Sequence, residues 1–176
     1  MRAALTQAYA GATANDGGPI DMPFGCVVVD DAGKIVSAAH SLEVTNRCPL
    51  HHAEMLAIEI ACTAVGRVDL SGYTLYTTHE SCAMCANGAL HASLTRIVYG
   101  SARADLPEHF RPKQNALDWL VRTSSQQPEV IGGVMREECI ALLVAHFENA
   151  KAELARVCSL PPALSKEEHE LLLPDR

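Results

Sequence analysis

Short apolar runs alternate along the chain with longer stretches in which apolar residues recur at helical spacing. Residues 3–14 mix Ala, Leu, Tyr and Gln and predict a helix, and the Gly and Pro breakers from Asn15 to Pro23 predict turns. Phe24-Gly25-Cys26-Val27-Val28-Val29 is short, apolar and β-branched, which predicts a buried strand. Asp30-Asp31-Ala32-Gly33 carries a hairpin-turn signal, and residues 34–40 return as a second strand. After a loop at 41–51, the spacing of Met55, Leu56, Ile58, Ile60 and Ala61 predicts a helix over 52–65, buried on most sides. A third strand follows at 73–78, an Ala- and Met-rich buried helix at 81–91, and a fourth strand at 96–100. Residues 101–127 read as polar and irregular apart from the patch Ala116–Leu120. A short strand at 129–131 precedes Gly132-Gly133, and a long amphipathic helix runs from Met135 to about 156.

Helices alternating with strands after an initial hairpin imply a three-layer α/β/α sandwich on a five-stranded mixed sheet. With no repeat and no linker in view, residues 1–158 read as one domain and 159–176, with two prolines and many charges, as a C-terminal tail. The 176 residues are enough to bury a core, and 48% hydrophobic with 20% charged residues is ordinary globular composition. No stretch reaches the ~18 consecutive apolar residues of a membrane span, and the first residues lack a secretory apolar run, so no membrane partner and a cytoplasmic location are expected. Seven cysteines, an odd number in a chain that is not cysteine-dense, suit cytoplasmic thiols with some serving as ligands.

Two motifs carry the chemistry. His52-Ala53-Glu54 opens one predicted helix, and Ser81-Cys82-Ala83-Met84-Cys85 opens the next. Cysteines three apart at a helix start lie on one side and can share a tetrahedral ion, and the positive end of the helix favours thiolates. His52 supplies a third ligand. Three protein ligands leave one position for water, the arrangement of catalytic zinc (Zn²⁺). Glu54, on the first turn, can converge on the same point and move protons between the water and a leaving group. His51 is the alternative ligand by a one-residue slip. Cys48 reads as a bystander thiol, and Cys26, Cys62, Cys139 and Cys158 as core filler.

With these residues placed, the chain resembles the cytidine-deaminase-like superfamily, in the branch of guanine deaminases, fungal-type cytosine deaminases and tRNA adenosine deaminases. The similarity runs through Pro23-Phe24-Gly25, His52 to Ile58, Leu75-Tyr76-Thr77-Thr78, Cys82 to Cys85, Ile97-Val98-Tyr99-Gly100 and Gly132 to Cys139, about two-thirds of the chain. The resemblance implies the α/β/α fold, a zinc-dependent hydrolytic deaminase, and a homodimer paired through helices beside the site. It also implies metal ligands at His52, Cys82 and Cys85, a proton-moving Glu54, and substrate contacts from Phe24 and Asn46. Asn46 stands six residues before His52, one more than the family's spacing. Ser81 replaces the family's usual Pro and is expected to cap the helix that follows.

Substrate class is where the residues divide. The net charge of −7 and an aromatic content of 5% favour a small free nucleobase or nucleoside over a polyanion. Residues 137–176 hold eight acids against four Lys or Arg, a net of −4. Arg103, Arg111, Lys113 and Arg122 form a small basic group that Asp105, Glu108 and Asp118 dilute. The free-base reading therefore leads. The alternative is a tRNA-specific adenosine deaminase, because Cys85 to Ser93 resembles the tRNA branch more than the guanine branch. A closed structural zinc module is a poor third, having no use for Glu54.

Overall fold

In a computed structural model of the protein, residues 1–13, 21–105 and 117–158 are described. The elements run α1 (Arg2–Thr13), β1 (Gly25–Val29), β2 (Ile35–His40), α2 (Ala53–Val65), β3 (Thr74–His79), α3 (Ala83–His91), β4 (Arg96–Ser101), a 3-10 turn (Arg103–Asp105), α4 (Leu117–Thr123), β5 (Glu129–Ile131) and α5 (Arg136–Cys158). The sheet is five-stranded in the order β2-β1-β3-β4-β5. β1 is antiparallel to β2 and β3, whereas β3, β4 and β5 run parallel. The arrangement is the expected three-layer α/β/α sandwich on a mixed sheet. The predicted 159–176 tail, most of the 15–23 turns and residues 106–116 lie outside the described residues.

Met1–His146 forms one compact unit, and Phe147–Arg176 is a second, of which the continuing helix to Cys158 is described. In the first unit β1 and β3 are buried along nearly their whole length, as strands covered on both faces must be. One cluster joins Val28, Leu75 and Ile97 of the sheet to Ala57 and Ala61 of α2, Ala86 and Ala89 of α3, and Leu117 and Val121 of α4. A second joins Leu5 and Ala8 of α1 to Cys139 and Leu142 of α5.

Small residues set the close approaches. A Cβ on Gly25 would stand 2.0 Å from the Ala4 carbonyl oxygen and 2.4 Å from the Ala8 nitrogen, both backbone, so only glycine lets α1 lie on β1 there. α2 buries the face of Ala53, Ala57 and Ala61, spaced four apart, and ends at Gly66 in the left-handed region, whose N–H meets the Cys62 and Thr63 carbonyls. Its other face is in solvent, with Ile60 45% exposed, so α2 is buried on one side rather than on most. The apolar residues there overfill the helical pattern, and the sheet can cover only one stripe.

Candidate active site

The topology gathers one group of loops. β3 ends at His79, and α3 begins three residues later with Cys82 as its N-cap, at the carboxyl end of a parallel strand. The antiparallel register of β1 on β3 pairs Cys26 with Thr77, and the Gly25 N–H donates to Thr78 Oγ1 at 3.1 Å. Phe24 therefore arrives beside His79, and their rings stack with centroids 5.3 Å apart and planes 20° from parallel. α2 begins at its N-cap His52, which makes no side-chain cap hydrogen bond. Its imidazole is turned instead toward the two cysteines.

His52 Nδ1 lies 3.6 Å from Cys82 Sγ and 3.5 Å from Cys85 Sγ, and the two sulfurs are 3.5 Å apart. A tetrahedral ion with Zn–S of about 2.3 Å and Zn–N of about 2.0 Å needs ligand separations of roughly 3.5–3.8 Å. The donor set and its spacing thus fit zinc, and among the described residues this is the one His, Cys, Asp and Glu group close enough to hold a metal. Cys82 is drawn down to about 3 by the Cys85 thiol and then by His52, against burial. The hydrogen bond to Cys82 also raises His52, whose Nε2 faces Glu43 Oε2 at 3.5 Å. His51 does not join them: its Nδ1 pairs with the Asn46 side-chain amide at 2.9 Å.

Glu54 is 6% exposed, and burial followed by the Cys82 charge raises its carboxyl above the usual range. A carboxyl held above its usual range keeps a proton more readily than an exposed one, which suits a group that carries protons. The cavity over it holds about 410 Å³, and Phe24, His52, Glu54 and Cys82 line it. So do Glu43, His79 and Arg103, none of which motif reading singled out as site residues. Arg103 also reaches the Ser81 carbonyl, and its N–H donates to Glu80. Asn46 is not among the lining residues, because its amide is engaged by His51. The cap expected of Ser81 belongs to Cys82: Ser81 stands one residue earlier and is fully buried. Cys48 is half-buried in the 41–51 loop and is not part of the metal group.

Residues 1–101, which include every one of these ligands, match the family described as the cytidine and deoxycytidylate deaminase zinc-binding region. The chain belongs to that family. The tRNA-specific adenosine deaminase of Bacillus subtilis (strain 168) is 35% identical over 136 residues, covering 74% of this chain and 79% of that protein. A structure from a study of A-to-I editing by tRNA:A34 deaminases at the wobble position superposes with a TM-score of 0.66 at 28% identity, over 81% of this chain and 97% of that one. The guanine deaminase of Bacillus subtilis gives 0.57 at 33% identity, over 62% and 67%. The protein is a zinc-dependent hydrolytic deaminase. Within this deaminase His52, Cys82 and Cys85 fit a tetrahedral ion, and His52, Cys82 and the buried Glu54 line one cavity. Zinc held there supplies the Lewis acidity that brings water toward ionisation at neutral pH. Among the described residues no helix is long and apolar enough to cross a membrane.

Proposed function

We propose that this deaminase hydrolyses the 6-amino group of an adenosine held in tRNA, releasing ammonia and leaving inosine. The observation that carries the reading is the 35% identity to a tRNA-specific adenosine deaminase along three-quarters of the chain. The wording from Cys85 to Ser93, along α3 and just past it, agrees with it. This reverses the order that charge alone suggested. Net charge describes the whole surface, whereas tRNA needs cations only where its phosphates lie. Of the four cations considered, Arg103 lines the cavity and Arg122 pairs with Asp118 at 3.5 Å, while Arg111 and Lys113 lie outside the described residues.

His52, Cys82 and Cys85 hold the metal. Glu54 passes one proton of the attacking water to ring N1 and the second to the departing nitrogen, so the C–N bond breaks as ammonia leaves and a C=O beside N1–H replaces it. Phe24 bears on the face of the base. Asn46 serves the loop, through His51, rather than the ring. A cytoplasmic homodimer completes the reading, and sedimentation of a monomer at working concentration would remove the dimer.

The second reading is a free-base deaminase of the guanine type. It is favoured by the 33% identity to a guanine deaminase, and the cavity of about 410 Å³ has room for a free base. Direct competition separates the two. Zinc-loaded enzyme is offered guanine, cytosine, adenine, their nucleosides and an adenosine-containing anticodon stem-loop, with ammonia and inosine read out. Inosine in the stem-loop with the free bases untouched supports the tRNA reading, and turnover of one free base alone replaces it.

A further inference from the structure

We propose that His79 is a specificity-determining residue, whose unpartnered Nε2 accepts a hydrogen bond from an N–H or O–H donor of the substrate. The proposal rests on reading the cavity over Glu54 as the substrate site. His79 lines that cavity with Phe24 and Arg103, and stacking on Phe24 fixes the plane of its ring. Nothing in the metal group or in the role of Glu54 uses it.

The tautomer follows from its partners. Ser101 Oγ donates its single proton to the Thr78 carbonyl at 3.1 Å. The same oxygen lies 2.9 Å from His79 Nδ1. A hydroxyl whose proton is spent can only accept there, so Nδ1 carries the N–H and Nε2 carries the lone pair. Burial first, and the Arg103 charge next, bring His79 down to about 4, so the ring stays neutral and keeps that lone pair at physiological pH. Among the described residues Nε2 is buried and has no hydrogen-bond partner. His79 as a whole is 8% exposed, so its unsatisfied acceptor is a built feature of the pocket wall rather than of an open surface.

An acceptor sorts substrates by what they donate. The ring nitrogens N1, N3 and N7 of adenosine are all acceptors, so apart from the reacting amine its donors are ribose hydroxyls. Guanine offers ring N–H groups. The shared chemistry is a donor on His79 Nε2, coming from a 2′-hydroxyl in RNA or from a ring N–H in a free base. A ligand that sets a lone pair or a methyl group against Nε2 is rejected, because the buried acceptor then stays unpaired.

The test uses zinc-loaded wild type, His79→Leu and His79→Gln. One arm compares stem-loops with a ribo or a 2′-deoxy target adenosine, and the other compares guanine with 1-methylguanine. In parallel, ¹⁵N shifts of labelled His79 are followed while adenine, guanine and the stem-loop are titrated in, which reads occupancy without turnover. In wild type the donor-bearing member of the active arm is preferred by about tenfold in kcat/KM, the effect of one hydrogen bond to a buried group. His79→Leu brings that ratio to about one with zinc content unchanged, and His79→Gln, which keeps an acceptor, retains part of it. An unchanged ratio in His79→Leu, or equal losses on both members, overturns the proposal and leaves the function standing. An Nε2 shift with no turnover of any compound keeps His79 as a ligand contact while removing the proposed function. Neither shift nor donor preference with any compound overturns the proposal.

Discussion

Asp21 is 4% exposed, carries no part of the metal chemistry, and holds the loop that forms one wall of the cavity. Its Oδ1 accepts the Val44 N–H at 2.7 Å and the Thr45 N–H at 3.1 Å, and its Oδ2 accepts the Thr45 hydroxyl at 2.5 Å. Glu43 and Val44 of that loop line the cavity. Asp21→Ala strips all three acceptors. Hydrogen bonds to a charged group contribute about 1.5–3 kcal/mol each when buried, but Val44 is 45% exposed and its released N–H meets water. At roughly 1 kcal/mol per bond the loss is about 3 kcal/mol. For a chain of this size that lowers Tm by roughly 6–12 °C if the loop melts with the whole unit. If the loop opens by itself, the loss is read as a rise in KM instead, with the metal group intact. Asp21→Asn keeps one carbonyl oxygen for the two N–H groups and should fall between wild type and Asp21→Ala. Thermal melts, KM on the active substrate and zinc content together read the effect. Asp21→Ala with unchanged Tm and unchanged KM would refute the reasoning.

Cys82→Ala and Cys85→Ala should each lose most bound zinc, and metal analysis finding full occupancy would exclude them as ligands. Glu54→Gln should keep zinc and lose at least ~10²–10⁴ in kcat, since the amide cannot move a proton; a near-normal rate would assign the base elsewhere. Glu43→Gln should weaken zinc about tenfold in competition with a chelator, because Glu43 faces the Nε2 of the ligand His52 at 3.5 Å; unchanged affinity would leave Glu43 with no such role. His79 sets an acid limit. Its folded pKa of about 4 lies below the unfolded value, so below about 6.5 the unfolded chain gains a proton that the folded chain refuses. Stability is full above that pH and falls by up to about 3 kcal/mol as pH drops toward 4. Melts of wild type and His79→Leu from pH 7 to pH 4 should differ in slope across that window, and parallel slopes would contradict the assignment.

What the sequence made legible is what is local. The β1–β2 hairpin was readable because Gly33, at a φ of 81°, closes a four-residue turn between two short apolar runs. The three metal-facing residues were readable because two helix starts each carry their ligand types within a few positions. The cavity wall was not. His79 meets Phe24 only because β1, paired with β2 along one edge, takes β3 along the other, a register that neither segment announces. Asp21 finds its partners 23 and 24 residues away, in a loop whose own residues give no periodic signal. Asn46 lies in an irregular loop, where a side chain is placed by its hydrogen bonds, here to His51, and spacing from a motif says little about them. Ser81 was read as a cap by residue type, but the chain enters α3 one residue later, so that the side chain at the cap is a ligand.

The same geometry reconciles an acidic protein with a tRNA substrate. A zinc ion formally cancels the two thiolates of Cys82 and Cys85, so the metal group adds no net charge to the cavity. Among the described residues around it, Glu43, Glu54 and Glu80 stand against the one cation Arg103, which leaves that part of the wall negative. Such a wall suits a neutral ring carrying an exocyclic amine and resists a phosphate brought in beside it. A nucleotide inside a polymer meets both conditions only if its base enters while its phosphates stay outside. Extruding the base achieves that separation, with stacking on Phe24 offsetting part of the cost of unstacking it from its neighbours. A free nucleobase avoids the conflict by having no phosphate at all. The charge of the cavity therefore does not choose between the two readings, and whole-chain charge weighs less than residue identity along α3. A free mononucleotide seated with its phosphate beside Glu43 and Glu80 is expected to bind poorly, because the attraction of Arg103 would be set against three carboxylates.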